Sequence, residues 1–383
     1  MNVKHPLALL GGLTPTEFMQ RHWQRKPLLV RQAIPNFSPL LTRPDLFELA
    51  AQEGVESRLV KGADQGRRAW QMQQGPFKRR TIPPLSERDW TLLVQGVDLH
   101  HDGVADLRNQ FRFIPDARLD DVMISYASDG GGVGPHFDSY DVFLLQAKGQ
   151  RRWRIGRQKD LSLQADVPLK VLAHFKPEQE FVLNPGDMLY LPPRYAHDGV
   201  ALGECMTYSI GFRASKIGEL ARDLLVRSSE SVDEMLGDAL YQDAGQSSTD
   251  RPASIPQGLT DFAKKAMAQA LKNPLSIDRA LGELLTEPKA NVWFDGARTT
   301  RTLKGLGVRL DRRSRMMYDK HHIFLNGESW RASGNDARLM RVLADAREID
   351  ASLLLGASPQ ALALLRDWCE DGWIHATTRK VRT

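Results

Sequence analysis

Residues 112–213 constrain the fold most, because this stretch consists of short apolar runs separated by glycine and proline. The runs are rich in aromatic and β-branched residues, several at alternating positions, which predicts strands. The predicted strands are 122–126, 142–147, 152–155, 181–183, 188–191 and 206–212. Two predicted turns, Lys148-Gly149 and 184–187, each join two apolar runs. Short strands at this spacing predict a β-sandwich or barrel.

The segments on either side of this stretch have helical periodicity. Upstream, helices are predicted at 15–23, after the capping residue Thr14, and at 43–53. Downstream, two apolar stripes at helical spacing consist of Ile217, Leu220, Leu224 and Leu225, and of Phe262, Ala266, Ala270 and Leu271. The polar segment 242–256 between them is a predicted surface loop.

The region from Asn291 onward has a third pattern. Asn326-Gly327 predicts a β-hairpin. Helices are predicted at 335–347 and 358–370, followed by a short strand near Trp373. Helix, helix and strand in this order resemble a winged helix.

Length and composition exclude several classes of protein. A chain of 383 residues has room for two or three domains, and 42% hydrophobic with 26% charged residues is ordinary globular usage. Cys205 and Cys369 are too few for a disulfide framework, so a reducing compartment is expected. The apolar run 6–13 is too short for a membrane span and poorly built for a signal peptide. We therefore expect a soluble, cytoplasmic protein without membrane contact.

His136-Phe137-Asp138 is the first feature with chemical content. On a strand, His136 and Asp138 would point to one face and offer a metal an imidazole and a carboxylate. The motif is weak alone, and His100-His101-Asp102 provides a second match in a polar loop. The glycine-rich segment 130–135 before His136 favours the first match, because glycine lets backbone approach closely.

A third ligand is expected from a distant strand. His197 follows a predicted turn, strand and stop at 185–193, which would deliver it to the barrel mouth. Three protein ligands leave three positions on octahedral Fe(II), enough for a bidentate 2-oxo acid and dioxygen. The alternative is two unrelated core histidines, and both motifs in one β-rich segment favour the metal site.

A 2-oxo acid also needs a cation for its far carboxylate. Arg151 stands on the predicted strand after the Lys148-Gly149 turn, and a guanidinium binds a carboxylate bidentately. Because side chains alternate, Arg151 can point inward while Arg152 points outward. Ser125 and Thr207 are polar residues in apolar runs, and they either hydrogen-bond the same carboxylate or are ordinary sheet hydroxyls.

Five runs resemble the JmjC, cupin-like 2-oxoglutarate oxygenases: 130–138, 140–143, 151–155, 185–193 and 208–213. More narrowly, the chain resembles the bacterial ribosomal oxygenases that hydroxylate an arginine of large-subunit ribosomal protein sixteen. The resemblance implies that His136, Asp138 and His197 bind Fe(II), and that Arg151 and Ser125 hold 2-oxoglutarate, the co-substrate used with dioxygen. It also implies a helical dimerisation region and a winged helix after the barrel, hence a homodimer.

The expected fold class is α+β, with a double-stranded β-helix (a jelly-roll JmjC barrel), N-terminal helices, a helical dimerisation region and a C-terminal winged helix. The expected domains are 1–213, with the barrel core at about 112–213, then 214–288 and 289–383. The expected activity is Fe(II)- and 2-oxoglutarate-dependent hydroxylation of an arginine side chain on a ribosomal protein.

Two other function classes compete with this expectation. A cupin sensor with a DNA-binding winged helix would need a basic second helix, yet Arg366 is the single cation of 358–370. Another metal-cupin enzyme would have no need for Arg151. Two basic clusters are either solvated faces or contacts for ribosomal RNA. They are Arg58, Lys61, Arg67, Arg68, Lys78, Arg79 and Arg80, and Arg298, Arg301, Lys304, Arg309, Arg312, Arg313 and Arg315.

Overall fold

The computed structural model describes residues 2–62, 70–229, 232, 236–272, 274–296, 303 and 305–377. The chain divides into two compact units, Met1–Ala214 and Ser215–Thr383. Five of the basic residues singled out in the sequence lie outside the described residues: Arg67, Arg68, Arg298, Arg301 and Lys304.

The first unit is built on one antiparallel sheet. Its strands are β1 (Leu28–Val30), β2 (Ser57–Lys61), β3 (Gln71–Gln74), β4 (Trp90–Val94), β5 (Leu119–Ala127), β6 (Val142–Gly156), β7 (Gln179–Leu183), β8 (Met188–Leu191) and β9 (Ala196–Phe212). The strand order is β1-β8-β6-β9-β5-β4-β2-β3, with β7 also paired to β6. The helices are Ala8–Leu10, Pro15–Arg21, Arg43–Leu49, Arg79–Thr81, Val97–Leu99 and Asp102–Asn109.

The long strand β6 differs from its prediction. The runs 142–147 and 152–155 belong to this one strand, which pairs with β9 along its length. The predicted turn at Lys148-Gly149 is therefore wrong, because the pairing with β9 continues through it with shifts of register. The turn at 184–187 is confirmed, with the Asp187 amide donating to the Asn184 carbonyl at 2.9 Å.

The N-terminal helices cover one face of this sheet. Helix Pro15–Arg21 begins with a capping box between Thr14 and Glu17 and ends two residues before its predicted end. It places Phe18, which is fully buried, with its ring centroid 5.4 Å from that of Phe143 and 5.0 Å from that of Tyr190. This aromatic packing holds the helix on the outer face of the sheet, which we define as the face of Phe143, and leaves the inner face for other residues.

The second unit contains helices and two small sheets. Its helices are Ile217–Ser229, Gln257–Ala270, Pro274–Thr286, Gly334–Ala346, Ala351–Leu354 and Pro359–Glu370. Its strands are β10 (Gly307–Leu310), β11 (Met316–Tyr318), β12 (His322–Leu325), β13 (Glu328–Arg331), β14 (Glu348–Ile349) and β15 (Ile374–Thr377). The sheet orders are β14-β10-β15 and β11-β12-β13. Residues 242–256 form a loop, as predicted.

The C-terminal part of this unit has its own core and confirms the predicted elements. Asn326 and Gly327 have φ values of 51° and 91°, the left-handed conformation that a tight hairpin between β12 and β13 requires. Trp368 of the last helix is 1% exposed, and its ring centroid lies 5.0 Å from that of Trp330 on β13. Ile374 at the start of β15 is fully buried, so the terminal strand also belongs to this core.

The two helices that follow Ser215 differ from the rest of the chain in their exposure. Neither Ile217–Ser229 nor Gln257–Ala270 has a buried residue among its described side chains. Ile217 is 90% exposed and Val226 is 63% exposed. Within the described ranges, the chain has no helix with the length and apolar character needed to cross a membrane.

Candidate active site

The structure brings together the three residues that the sequence singled out as metal ligands. His136, Asp138 and His197 each offer one ligand atom, and these atoms lie within 4.8 Å of one another. The Nε2 atom of His197 is 3.7 Å from Oδ2 of Asp138. Of the residues with described positions, these three form the one such cluster of histidine, cysteine and acidic side chains.

Backbone pairing sets the spacing of the two imidazoles. The His136 amide donates to the His197 carbonyl at 2.9 Å, and the His197 amide donates back at 2.8 Å. The ring centroids are consequently 4.2 Å apart. His197 lies on β9, but His136 and Asp138 lie in an irregular segment between β5 and β6, so their placement on a strand was wrong. The expected common direction of the two side chains still holds, because they meet His197 together.

Each imidazole is oriented by a backbone carbonyl. The Nδ1 atom of His136 lies 2.9 Å from the Gly134 carbonyl oxygen, and Nδ1 of His197 lies 3.0 Å from that of Tyr195. A carbonyl can only accept, so these contacts assign the proton to Nδ1 and leave the Nε2 lone pair available for a metal. Burial lowers the pKa of His197 to about 4; the neighbouring His136 acts in the same direction and Asp138 opposes it.

Gly134 explains why glycine precedes the first histidine. Its φ is +78°, in the left-handed region, and a Cβ atom there would lie 2.9 Å from the indole of Trp70. Glycine therefore allows the chain to turn and to pass close to Trp70 while its carbonyl orients His136.

Arg151 lies in the same interior, next to Ser125 and Thr207. The resemblance implied a co-substrate role for Ser125, and the sequence left the role of Thr207 open. The Arg151 side chain is 3% exposed. Its Nη1 atom donates to Ser125 Oγ at 3.0 Å and to Thr207 Oγ1 at 3.4 Å, and Nη2 donates to the Gly199 carbonyl at 3.3 Å. Within the described part of the chain, these hydrogen-bond partners are all neutral oxygens. The guanidinium thus keeps an uncompensated positive charge, which an incoming carboxylate can neutralise.

Trp153 connects Arg151 to the histidine pair. The Arg151 guanidinium carbon is 5.3 Å from the Trp153 ring centroid, and the Trp153 and His197 ring centroids are 5.8 Å apart. Two buried donors here, Arg151 Nε and Trp153 Nε1, have no hydrogen-bond partner among the described protein atoms. Buried donors normally find an acceptor. This pair of donors fits a small ligand with several oxygens, such as a 2-oxo acid.

Other polar residues near the motif have structural roles. Arg154 pairs with Asp198, with Nη2 and Oδ2 2.5 Å apart, so its charge is already neutralised by a carboxylate of the protein. Asp129 forms an ion pair with Arg88 and accepts a hydrogen bond from the Gly203 amide at 2.8 Å. These contacts give Asp129 a structural role in the turn that contains it.

Sequence reasoning missed Trp153 and Gln146 as parts of this interior. Gln146 is fully buried and accepts a hydrogen bond from the Thr207 hydroxyl at 2.9 Å. The available signal was an amide in the middle of the apolar run 142–147. For Trp153, the signal was its position two residues after Arg151, which places both side chains on one face of a strand.

Comparison with known proteins agrees with this geometry. Residues 106–220 match the JmjC domain family, and residues 266–375 match the ROXA-like winged helix family. The chain is 36% identical over 276 residues to "Ribosomal protein uL16 3-hydroxylase" of Escherichia coli (strain K12), covering 71% of each chain. The chain belongs to the JmjC ribosomal oxygenases. It is also 30% identical to "Probable ribosomal oxygenase" of Haemophilus influenzae, covering 94% of this chain and 96% of that one.

Solved structures of this family confirm the fold class. The X-ray structure of E. coli YcfD superimposes with a TM-score of 0.82 at 30% identity, covering 95% of this chain and 98% of that one. YcfD has also been solved in complex with cobalt and 2-oxoglutarate, and that structure has a TM-score of 0.79 at 29% identity. The first unit is therefore a JmjC barrel, and the second carries a ROXA-like winged helix rather than that of a transcriptional regulator. As a member of this family, the chain is a 2-oxoglutarate-dependent oxygenase.

Proposed function

We propose that this chain hydroxylates an arginine side chain of large-subunit ribosomal protein sixteen, using Fe(II), 2-oxoglutarate and dioxygen. The observation that carries the proposal is the cluster of His136, Asp138 and His197 in one interior with the buried Arg151. The E. coli relative, whose name assigns it ribosomal protein uL16 as substrate, supports the choice of substrate.

In this proposal, His136, Asp138 and His197 hold Fe(II). Two imidazoles and one carboxylate are the donor set of non-haem iron oxygenases, which leave positions open for other ligands. When bound, the iron supplies the oxidising chemistry with dioxygen and the co-substrate. The chain's contribution is orientation: the Gly134 and Tyr195 carbonyls fix the two rings through Nδ1, and Nε2 of His197 lies 3.7 Å from Oδ2 of Asp138.

Arg151 and Ser125 hold the far carboxylate of 2-oxoglutarate in this proposal. The guanidinium provides charge-assisted hydrogen bonds, and the Ser125 hydroxyl, which donates to the Thr207 carbonyl at 3.4 Å, accepts from Arg151 and so orients the guanidinium toward the ligand. The Trp153 indole lies between Arg151 and His197, and Trp153 is only 5% exposed. It thereby keeps water away from a 2-oxoglutarate molecule that would extend from Arg151 to the proposed metal ligands.

The proposed activity is tested by mass spectrometry. The purified protein is incubated with Fe(II), 2-oxoglutarate and large-subunit ribosomal protein sixteen, and peptide fragmentation then locates any added oxygen. We expect a gain of one oxygen on an arginine, dependent on 2-oxoglutarate. An unchanged mass for protein sixteen, with oxygen gained by another ribosomal protein in a parallel mixture, would replace the substrate but keep the reaction class.

We also propose that the chain is a homodimer held by the helical region 214–288, with the winged helix at 289–383. The support is the exposed apolar surface of helices Ile217–Ser229 and Gln257–Ala270, which includes Ile217, Leu225 and Met267. A large exposed apolar patch marks an interaction site. A truncation ending near Arg213 should sediment as a monomer, whereas the full chain should sediment as a dimer at micromolar concentration.

Contact with ribosomal RNA is the last part of the proposal, with the cytoplasm as the place of action. Lys78, Arg79 and Arg80 are consecutive exposed cations and support it. By contrast, Lys61 pairs with Glu87 and Arg313 pairs with Asp311. Reversing the charge of Lys78 and Arg80 should weaken RNA binding in a filter assay and reduce its dependence on salt.

A further inference from the structure

Strand β6 changes the face that its side chains present. Before residue 147, Phe143 and Leu145 pack in the outer core, while Val142 and Leu144 belong to the inner cluster. After residue 150, Trp153 belongs to that same inner cluster. Even positions face inward before this point and odd positions face inward after it. Because strand side chains alternate with a period of two, the regular alternation must be interrupted between the two halves.

A β-bulge in the pairing with β9 lies at this point. Gln146 pairs with Thr207, Lys148 with Met206 and Gln150 with Leu202, so two steps on β6 match one step on β9 and the next two steps match four. Gly149 follows with a φ of +62°, and a Cβ atom there would lie 2.1 Å from the Glu204 carbonyl oxygen. Without this bulge, Arg151 would point away from the metal ligands, so the bulge determines where its guanidinium lies.

The side chain of Gln146 holds this bulge together. Its Nε2 atom donates to the Lys148 carbonyl at 2.8 Å and to the Gly149 carbonyl at 3.3 Å. Both carbonyls belong to the irregular part of β6, where ladder hydrogen bonds are interrupted. Because the amide group faces two acceptors, its orientation is fixed with the oxygen on the opposite side.

The oxygen of Gln146 in turn orients the Thr207 hydroxyl. Thr207 donates its one hydroxyl proton to Gln146 Oε1 at 2.9 Å. Its lone pairs then accept from Arg151 Nη1 at 3.4 Å. Gln146 therefore acts on Arg151 twice, through the bulge that turns the strand and through the hydroxyl that receives the guanidinium.

We propose that Gln146 is a positioning residue for the co-substrate, acting through the bulge and Thr207 to set the affinity of Arg151 for 2-oxoglutarate. This inference rests on the proposed function of Arg151. Within the described residues, the hydrogen bonds of the Gln146 side chain do not reach His136, Asp138 or His197, and its effect is confined to the geometry of the guanidinium.

The test replaces Gln146 by methionine, which has a similar shape and cannot make these hydrogen bonds. Binding of 2-oxoglutarate is measured by calorimetry on protein loaded with Mn(II), which keeps the assay independent of turnover. We expect the Kd and the KM for 2-oxoglutarate to rise about tenfold, since two or three hydrogen bonds are lost. Saturated kcat and the Mn(II) affinity should stay within about twofold of the original protein, because the iron ligands are untouched.

Variants of Thr207 separate the relay from general destabilisation. Thr207→Val should raise the Kd for 2-oxoglutarate severalfold, and Thr207→Ser should restore it. Thr286→Val is the matched control, since Thr286 is an equally buried threonine whose hydroxyl donates to the Gly282 carbonyl in the second unit. If Gln146→Met does not fold, as judged by circular dichroism, the Thr207 pair alone decides the relay.

Several outcomes would overturn the proposal. An unchanged 2-oxoglutarate Kd in a folded Gln146→Met protein, or in Thr207→Val, contradicts it while leaving the proposed function intact. Equal losses of Mn(II) and 2-oxoglutarate affinity would indicate a purely structural role. Failure of the unaltered protein to bind 2-oxoglutarate would instead remove the proposed function itself.

Discussion

The barrel unit buries the apolar side chain at the centre of its first α-helix, whereas the helices after Ser215 leave large apolar side chains exposed. In the barrel unit, helix Pro15–Arg21 buries Phe18 completely against the sheet. In the second unit, helix Ile217–Ser229 leaves Ile217 90% exposed. Helix Ile217–Ser229 does contact helix Pro274–Thr286 of its own unit, with Arg227 paired to Glu287, but this contact leaves the side of Ile217 uncovered within the described residues. The difference teaches that helical periodicity predicts an apolar contact without saying whether the contact lies within one chain or between two.

The largest effect is expected from substitutions of the proposed metal ligands, which should remove activity while the barrel stays folded. His136→Ala or Asp138→Ala should abolish turnover of 2-oxoglutarate, because two remaining ligands hold iron weakly and in the wrong geometry. Circular dichroism should stay unchanged, since neither side chain supports the apolar core. The control is His174→Ala, an exposed histidine paired with Asp160 outside the cluster. Full activity of either ligand variant would remove the metal assignment.

The next effect contrasts the two helices directly. Phe18→Ala should lower the free energy of unfolding of the barrel unit by about 3–5 kcal/mol, because it leaves a cavity among several aromatic rings. Ile217→Ala should change it by less than about 0.5 kcal/mol, as expected for an exposed side chain. Urea denaturation of dilute protein measures both. Similar losses of unfolding free energy in the two variants would contradict the difference in burial between the two helices.

Arg151→Ala has an intermediate effect that concerns the co-substrate alone. It deletes a charge-assisted pair worth roughly 1.5–3 kcal/mol, so the KM for 2-oxoglutarate should rise by about one to two orders of magnitude. Iron affinity should change far less. Arg151→Lys should recover part of the affinity, as a point charge without the planar fork. Arg152→Ala on the same strand serves as the control, and equal losses of iron and co-substrate binding would point to misfolding.

Substitutions on the exposed side of helix Ile217–Ser229 should change the stability of the fold least and the affinity of the dimer most. Ile217→Ser combined with Leu225→Ser should leave the unfolding free energy nearly unchanged but weaken the dimer by about tenfold or more, since two apolar side chains on one side of the helix lose their buried environment. Sedimentation velocity over a range of concentrations measures this. Leu355→Ser is the control, because Leu355 is 84% exposed and lies outside these helices. A full-length protein that is monomeric at micromolar concentration would contradict the dimer.

The sequence predicted the residues of the site better than their backbone. Periodicity located the strands within residues 112–213 but missed β1 to β4 of the same sheet, and the spacing of His136, Asp138 and His197 identified a cluster that the structure assembles. The local pattern at Lys148-Gly149 predicted a turn, because glycine between two apolar runs is typical of one. The observed bulge depends on pairing with Thr207 and Met206, which lie more than fifty residues away in the chain. Local propensity carries no information about such a partner.

The sequence correctly predicted that Arg151 faces inward, but the reasoning did not include the bulge in β6. Alternation on a separate strand predicted that Arg151 would face inward and Arg152 would not. The structure reaches that result by shifting the register of one continuous strand, with Gln146 supporting the shift. Positions that follow a bulge cannot be assigned to a face by counting from residues before it.

The reciprocal amide bonds between His136 and His197 have a consequence for metal exchange. Because these two backbone hydrogen bonds fix the distance between the imidazoles, the conformational entropy of bringing the two rings together is lost when the chain folds rather than when an ion binds. Such a chelate is preorganised, unlike the ligands of a zinc finger, which assemble around their metal. We therefore expect the protein to keep its fold when the metal is removed and to bind the metal again without refolding.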